Sequence, residues 1–168
     1  QAVPNLNLML ATYFGGLGDN LTAVCRLPVD ALHVDAVRAP GELPRWLAEV
    51  PPGMAISLGV VDGRNIWKNE YDVSLDLLRR AQAALGSERL WVSPSCSLLH
   101  SPHGLEREVR LDAEIRDWLA FAREKLGEIA ELAALMGPEG DVEVLSRNRE
   151  SAARRRASTK VRNDEVRQ

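Results

Sequence analysis

Short apolar runs alternate with longer amphipathic stretches four times along the first 140 residues. The apolar runs are nearly continuous, which is typical of strands in a parallel sheet that are buried on both faces. The pattern therefore predicts four strands, at Leu6–Tyr13, Ala31–Val37, Met54–Val61 and Arg89–Ser93.

The stretches between these runs carry apolar residues at helical spacing. They predict a short helix near Asn20–Arg26, a helix over Glu42–Val50 and another over Asp72–Leu85. The longest predicted helix covers Asp112–Met136, with Asp112 as N-cap, an apolar stripe that includes Leu126, and a stop at Gly137-Pro138.

An alternating order of strands and helices predicts the α/β class with right-handed crossovers. A doubly wound sheet and a barrel both fit this order, but a closed (β/α)₈ barrel needs eight strands and about 250 residues. The four βα units of residues 1–140 therefore predict half of a TIM barrel. Since the chain begins with Gln1 instead of methionine, we expect it to belong to a longer protein.

Charge divides the chain at about residue 140. Residues 1–140 hold 13 Lys/Arg and 19 Asp/Glu, a net charge of −6, whereas residues 141–168 hold 8 and 5, a net charge of +3. We expect residues 141–168 to form a basic helical arm that docks elsewhere on the protein. An acidic chain whose basic stretch lacks interleaved aromatic residues does not predict nucleic-acid binding.

No apolar run approaches the length of a membrane span, so no membrane partner is expected. Cys25 and Cys96 lie too far apart in the sequence to suggest a disulfide framework. We therefore expect a reducing compartment, the cytoplasm.

In barrel enzymes the functional groups follow the carboxyl ends of the strands. His33 and Asp35 lie two apart on one strand and so face one side, either as an acid–base or ligand pair or as a buried polar pair satisfied by neighbours. Arg64 could clamp a carboxylate or a phosphate through two hydrogen bonds, or bridge two loops of the barrel rim. The rule also selects Phe14, Ser95 and Cys96, but the substrate-binding candidates are Tyr13, His33, Asp35, Arg64, Asn65, Trp67, Ser97 and His100.

Cys96 and His100 are four apart on one predicted loop, and both residue types bind zinc. A zinc site needs three or four protein ligands, and no CxxC or HxxxH motif accompanies this pair. A structural role is therefore favoured over a metal site or a Cys–His nucleophile. Gly15-Gly16-Leu17-Gly18 lacks the spacing of a dinucleotide or phosphate-binding loop.

Five stretches, in this order, closely resemble the N-terminal domain of cobalamin-independent methionine synthase, and the resemblance runs from about Leu8 to Val166. The GRNIW and SCSLLH strings are the most specific of its motifs. The stretches are Thr12-Tyr13-Phe14, Leu32–Asp35, Gly59–Trp67, Ser95–Pro102 and Asp117–Ala122.

The resemblance implies an enzyme of two facing (β/α)₈ barrels that transfers a methyl group from 5-methyltetrahydrofolate polyglutamate to homocysteine. Zinc in the C-terminal barrel would hold the homocysteine thiolate. This chain would be the second half of the N-terminal barrel, a scaffold and a wall of the folate cleft, followed by the start of the arm that joins the barrels. Its partners would be the missing half barrel and the catalytic barrel.

The resemblance also implies that the zinc ligands and the basic residues for the folate tail lie outside this chain. No cofactor and no catalytic residue is then expected here, Cys96 is a candidate for a vestigial zinc ligand, and the segment alone is expected to be inactive. In the arm, Ser158, Val161, Asn163 and Val166 keep the family's spacing, and Asp164-Glu165 depart from it.

Two alternatives stay open at this stage. One is a free-standing, dimeric half barrel with a metal or small-molecule site at Cys96 and His100. The other is a binding module whose basic arm docks a partner.

Overall fold

The computed structural model describes residues 6–138 and 140–161. Four strands form one parallel sheet in the order β1-β2-β3-β4, which is their order in the sequence. This arrangement is compatible with half of a (β/α)₈ barrel, because each strand lies beside the one that precedes it. The strands are β1 (Met9–Ala11), β2 (Ala31–Asp35), β3 (Ala55–Val61) and β4 (Leu90–Pro94).

Six α-helices and several short 3₁₀ turns accompany the sheet in the described part of the chain. Two long helices follow β3 and β4, and a third long helix ends the described region. The helices are α1 (Leu21–Val24), α2 (Leu43–Glu49), α3 (Tyr71–Leu85), α4 (Ala113–Asp117), α5 (Ala122–Leu135) and α6 (Val142–Ala157).

Alternate residues of the central strands face opposite sides of the sheet. One set packs against the helices in a single apolar core, which includes Leu32 of β2, Ile56 and Leu58 of β3, and Trp46 of α2. The other set is small or polar and lines the concave side. This division explains why every residue of β2 and β3 is buried.

The prediction of one helix over Asp112–Met136 is wrong. The helix is interrupted at Trp118–Phe121, where the backbone pairs with the loop after β3. The Ala120 amide donates to the Ile66 carbonyl (2.8 Å), and the Lys68 amide donates to the Trp118 carbonyl (2.8 Å). These bonds replace hydrogen bonds of the helix. The helix is therefore interrupted, although the amphipathic spacing of the sequence continues through the segment. Asp112 caps α4 by accepting from the Glu114 and Ile115 amides.

Helix α6 packs against α3 and the loop before it. The side chain of Asn148 accepts from the Tyr71 amide (3.0 Å) and donates to the Asn69 carbonyl (2.8 Å). Ion pairs join Arg155 to Glu70, Arg149 to Asp72 and Arg154 to Asp117. Basic residues 154–156 are thus used within the chain, and the role of residues 141–168 as an inter-barrel arm stays a prediction. Asn163, Asp164, Glu165 and Val166 lie outside the described residues.

Candidate functional site

A buried layer of polar side chains crosses the concave side of the sheet at His33. Its Nδ1 lies 3.0 Å from the Ser57 hydroxyl and 3.2 Å from the Ser93 hydroxyl, and Ser57 donates to Ser93. Its Nε2 lies 3.2 Å from the Ser95 carbonyl, which can only accept, so Nε2 carries the proton. Burial lowers the pKa of His33, so this layer holds a neutral imidazole at pH 7.

Asp35 is also buried, but its carboxylate binds backbone amides instead of the His33 ring. One oxygen accepts from the Phe14 amide (3.1 Å), and the other accepts from the amides of Val37 (3.1 Å) and Arg38 (2.9 Å). Each oxygen is thereby satisfied. Of the two interpretations open at the sequence level, these contacts favour a buried polar group satisfied by its neighbours, and they give Asp35 the task of holding the loop after β1.

Three candidate side chains, Tyr13, Arg64 and His100, surround the ring of Phe14 at the open end of the sheet. The Tyr13 ring lies 5.9 Å from it and 5.3 Å from the His33 ring. His100 approaches Phe14 edge-on at 5.5 Å, and the Arg64 guanidinium lies 4.8 Å from the Phe14 centroid. Phe14 is the member of this group that sequence reasoning noted without including among the site residues.

Hydrogen bonds shape the loop after β3 that carries Arg64. Asp62 accepts from the Arg64 amide (2.8 Å) and from the side-chain amide of Asn65 (2.8 Å). Ser101, on the neighbouring loop, donates to the Asn65 carbonyl (3.1 Å). Hydrogen bonds within its own turn and from the loop after β4 therefore hold the loop in place.

Two charged residues of α5 were not predicted to be buried, because the predicted apolar stripe placed a different face of the helix, which includes Leu126, against the core. Lys125 and Glu128 are buried, whereas Leu126, assigned to the stripe, is 59% exposed. Lys125 donates to the Asn65 side-chain oxygen (3.3 Å) and to the Trp67 carbonyl (3.0 Å). Burial lowers the pKa of Lys125. In the sequence, Lys125 and Glu128 are opposite charges three residues apart. This spacing usually indicates a solvent-exposed helix face, so it gave no sign that the two side chains are buried.

Glu128 supports the same loop one turn further on. One oxygen accepts from the Asn69 amide (2.9 Å), while the other is buried without a hydrogen-bond partner among the described residues. Burial raises the pKa of Glu128 to about 7, against the opposing effects of that hydrogen bond and of the charges of Lys125 and Lys68.

Trp67 and Ser97 do not join the cluster around Phe14. Trp67 pairs its backbone with Leu119, and its ring lies under the Arg155 guanidinium at 5.6 Å. Ser97 caps the 3₁₀ turn Leu98–His100 by accepting from the Leu99 amide (3.3 Å). Both side chains organise loops in the described structure.

The surroundings of Cys96 do not suit a zinc ion. The thiol is buried beside Gly63, and its sulfur lies 3.6 Å from the Ser97 carbonyl. Burial raises the pKa of the Cys96 thiol. Within residues 6–138 and 140–161, no three His, Cys, Asp or Glu side chains are grouped as a metal site would need. This geometry favours a packing role for Cys96.

Comparison with known proteins supplies the family. The family described as cobalamin-independent synthase, N-terminal domain, matches residues 1–86, which is just over half of the chain. The chain belongs to this family.

Relatives of this synthase family carry the name 5-methyltetrahydropteroyltriglutamate–homocysteine methyltransferase. The protein of Coxiella burnetii (strain CbuG_Q212) is 47% identical over 164 residues, which is 96% of this chain and 21% of the relative. The protein of Xylella fastidiosa (strain M23) is 45% identical over 166 residues, 98% of this chain and 22% of the relative. The chain therefore spans about one fifth of the length of these methyltransferases.

None of the helices in the described part of this synthase-family chain has the length and apolar character needed to cross a membrane.

Proposed function

We propose that this chain is a segment of a cobalamin-independent methionine synthase, which transfers a methyl group from 5-methyltetrahydrofolate polyglutamate to homocysteine. Within that enzyme the segment is the second half of the N-terminal barrel, and it serves as scaffold and as a wall of the folate cleft. The observation that carries the proposal is the 47% identity over 164 residues to a protein named for this reaction.

The geometry of the strand ends supports the proposed role of the segment as scaffold and cleft wall. His33 and Asp35 are buried and satisfied, so they hold the rim in place without reaching a substrate. Tyr13, Arg64 and His100 are exposed at the same end of the sheet and are the groups that a ligand could touch. No catalytic role is assigned to a residue of this chain.

The rest of the reaction belongs to parts of the protein outside this chain. Zinc in the catalytic barrel would supply a site for the homocysteine thiolate, and no group of three ligands around Cys96 within residues 6–138 and 140–161 would hold a second ion. The missing half barrel would pair with the outer edges of β1 and β4. We assign the whole enzyme to the cytoplasm.

A segment exchange tests the proposal. The 164 matched residues of the Coxiella burnetii methyltransferase are replaced by those of this chain, and methyl transfer from 5-methyltetrahydropteroyltriglutamate to homocysteine is measured. Because the segment supplies scaffold and cleft wall, the chimera should keep its rate within about tenfold of the parent, a loss below about 1.4 kcal/mol in the barrier.

The parent enzyme and a version that lacks the segment serve as controls. A chimera that has the parent's circular dichroism and thermal transition but transfers no methyl group would overturn the proposal.

A further inference from the structure

A groove of about 580 Å³ lies between α5 and α6, and the rim side chains around Phe14 do not line it. Three carboxylates of α5 contribute to its floor, from Glu124, Glu128 and Glu131. Because these residues are spaced four and three positions apart, they lie on one face of the helix. The groove is therefore acidic along two turns of α5.

Four carboxylates that line this groove have no ion-pair partner within 4.0 Å in residues 6–138 and 140–161. They belong to Glu124, Glu128, Glu131 and Glu150. The basic residues of the groove pair with other carboxylates. Lys68 and Arg154 both contact Asp117, and Arg147 contacts Glu143. The groove therefore keeps an excess of negative charge.

Glu128 is the most deeply buried of these carboxylates, and it is 6% exposed. One of its oxygens accepts from the Asn69 amide (2.9 Å), while the other has no hydrogen-bond partner among the described residues. A buried oxygen in this state costs free energy until a donor reaches it. Glu131, one turn further along α5, accepts from the Tyr71 hydroxyl and is exposed.

Gly127 leaves the floor of the groove open between these carboxylates. It lies inside the 14-residue helix α5, where glycine is less favourable than alanine. A β-carbon at this position would meet no atom within 4 Å. The open space suits a narrow, unbranched aliphatic chain.

We propose that this groove binds a linear aliphatic polyamine, whose ammonium groups pair with Glu128 and Glu131 while its methylene chain lies over Gly127. The inference goes beyond the proposed function, because no step of methyl transfer uses the groove. An ammonium group carries three donors and can bridge carboxylate oxygens. A metal ion is disfavoured, since no three His, Cys, Asp or Glu side chains in the described part of the chain are grouped to hold one.

The spacing of the carboxylates favours a ligand with several separated charges. The helix rises about 6 Å from Glu124 to Glu128 and about 4.5 Å from Glu128 to Glu131. Neighbouring amino groups of an extended spermidine molecule are separated by similar distances. A single small cation would neutralise one of these carboxylates and leave the others unpaired.

The test is isothermal titration calorimetry of spermidine with the chimera of the segment exchange, in which the remaining half barrel covers the strand edges. The titration is done at pH 8, because burial raises the pKa of Glu128 to about 7 and its carboxylate is ionised above that value. Spermidine should bind more tightly than butane-1,4-diamine, and the diamine more tightly than butylamine. Magnesium ion should bind more weakly than spermidine.

Charge variants locate the binding. Glu128→Gln and Glu131→Gln should each weaken spermidine binding by about tenfold or more, as expected for the loss of a charge-assisted pair. Each glutamine keeps an oxygen for the Asn69 amide or the Tyr71 hydroxyl, so the fold should be retained. Glu88→Gln, at an exposed carboxylate just before β4 and outside the groove, is the matched control and should leave binding unchanged.

A second kind of variant fills the groove without changing its charge. Gly127→Leu places a side chain over the floor and should weaken spermidine binding by about tenfold or more. Its circular dichroism and thermal transition should match or exceed those of the unmodified chimera, since leucine favours a helix more than glycine does.

Equal spermidine binding by Glu128→Gln and Glu88→Gln would overturn the proposal, as would magnesium binding as tight as that of spermidine. A folded chimera that binds no spermidine would also overturn it, because the groove would then be closed or filled by the rest of the enzyme. An active chimera without spermidine binding refutes the polyamine site alone. An inactive chimera whose spermidine binding depends on Glu128 refutes the proposed function alone.

Discussion

At the scale of single residues, the concave side of the sheet is organised by hydroxyl groups around one imidazole. Ser57 and Ser93 orient His33, and the Ser95 carbonyl fixes which ring nitrogen carries the proton. The alternation of side chains along a strand predicts that His33 and Asp35 share a face. It cannot predict their partners, because Ser57, Ser93 and Ser95 come from other strands and other parts of the sequence.

Gly59 of β3 packs against the backbone of β2 and of the end of β4. A β-carbon at this position would lie 2.7 Å from the Ser95 Cα, 2.9 Å from the Val34 oxygen and 3.0 Å from the Pro94 oxygen. All three are backbone atoms and cannot turn aside. Gly59→Ala should therefore lower the free energy of unfolding by about 2 kcal/mol or more, as measured by urea denaturation.

The control for this substitution is Gly41→Ala. Nothing lies within 4 Å of the added carbon at Gly41, and we expect a change within about 0.5 kcal/mol. A Gly59→Ala protein as stable as Gly41→Ala would show that the strand ends are less tightly packed than described.

At the scale of elements, the segment from Trp118 to Phe121 shows how tertiary contacts override a helical pattern. The apolar spacing runs on through this segment, yet its backbone bonds to Ile66 and Lys68 of the loop after β3. The interruption places α5 so that Lys125 and Glu128 face inward, toward that loop. Lys125 and Glu128 therefore support the loop after β3 from the side of α5. The spacing of apolar residues along the sequence could not indicate this.

Glu128 gives α5 a pH dependence with a definite sign. Burial raises its pKa to about 7 from an ordinary value of 4.5, so the folded chain binds more protons than the unfolded chain between these values. Its contribution to stability is therefore full below about pH 4.5 and is lost as pH rises to about 7. The loss is on the order of 3 kcal/mol for a group this deeply buried.

Glu128→Gln should remove this contribution, since the amide keeps an oxygen for the Asn69 N–H and does not titrate. The measurement is the difference in urea-unfolding free energy between variant and unmodified chain from pH 4.5 to 8. Burial lowers the pKa of His33 and gives the opposite slope below about pH 6.5, but this term cancels in the difference. A difference that does not vary with pH would show that folding does not raise the pKa of Glu128.

Asn148 is the polar contact through which α6 holds the start of α3. Asn148→Ala would leave the Tyr71 amide and the Asn69 carbonyl without their partners, and we expect a loss of about 1–3 kcal/mol in unfolding free energy. Hydrogen exchange at the Tyr71 amide should accelerate as well.

Arg147→Ala is the neighbouring control on α6. Arg147 is exposed, and within the described residues its one ion pair is with Glu143, at 4.0 Å, so its removal should change stability by less than about 0.5 kcal/mol. Equal effects of the two substitutions would mean that α6 is held by its ion pairs instead of by Asn148.

At the scale of the whole molecule, the sheet has two outer edges that find no strand partner among the described residues. β1 pairs only with β2, and β4 pairs only with β3. The sheet register places Met9 opposite Ala31 and Trp91 opposite Ser57, so both side chains share the concave face with Ser57. They are 51% and 48% exposed, as expected where a further part of a barrel would cover them.

The 168-residue chain should therefore self-associate when it is purified alone. Unpaired edges and exposed apolar side chains favour pairing between copies, so light scattering should give a mass that is a multiple of 18.5 kDa. Met9→Lys with Trp91→Lys should shift the chain toward the monomer, because charge at an edge opposes pairing.

Val73→Lys is the control, since Val73 is 60% exposed on the outer side of the fold, on α3. A monomer for the unmodified chain at concentrations near 100 μM, about the range where weak complexes form, would contradict the half-barrel interpretation.

The sequence by itself determined the α/β class, the number and order of the strands, the family and the rim positions that carry polar residues. The class and the strands follow from local information, since side-chain alternation, helical spacing and turn residues act between near neighbours in the chain, whereas the family follows from the resemblance of specific motifs. Only the tertiary structure decided where the long helix breaks, which charges of α5 are buried, and that Arg64 meets Phe14 and His100. These features depend on backbone pairing and burial between segments that lie far apart in the sequence, about which a periodic pattern carries no information.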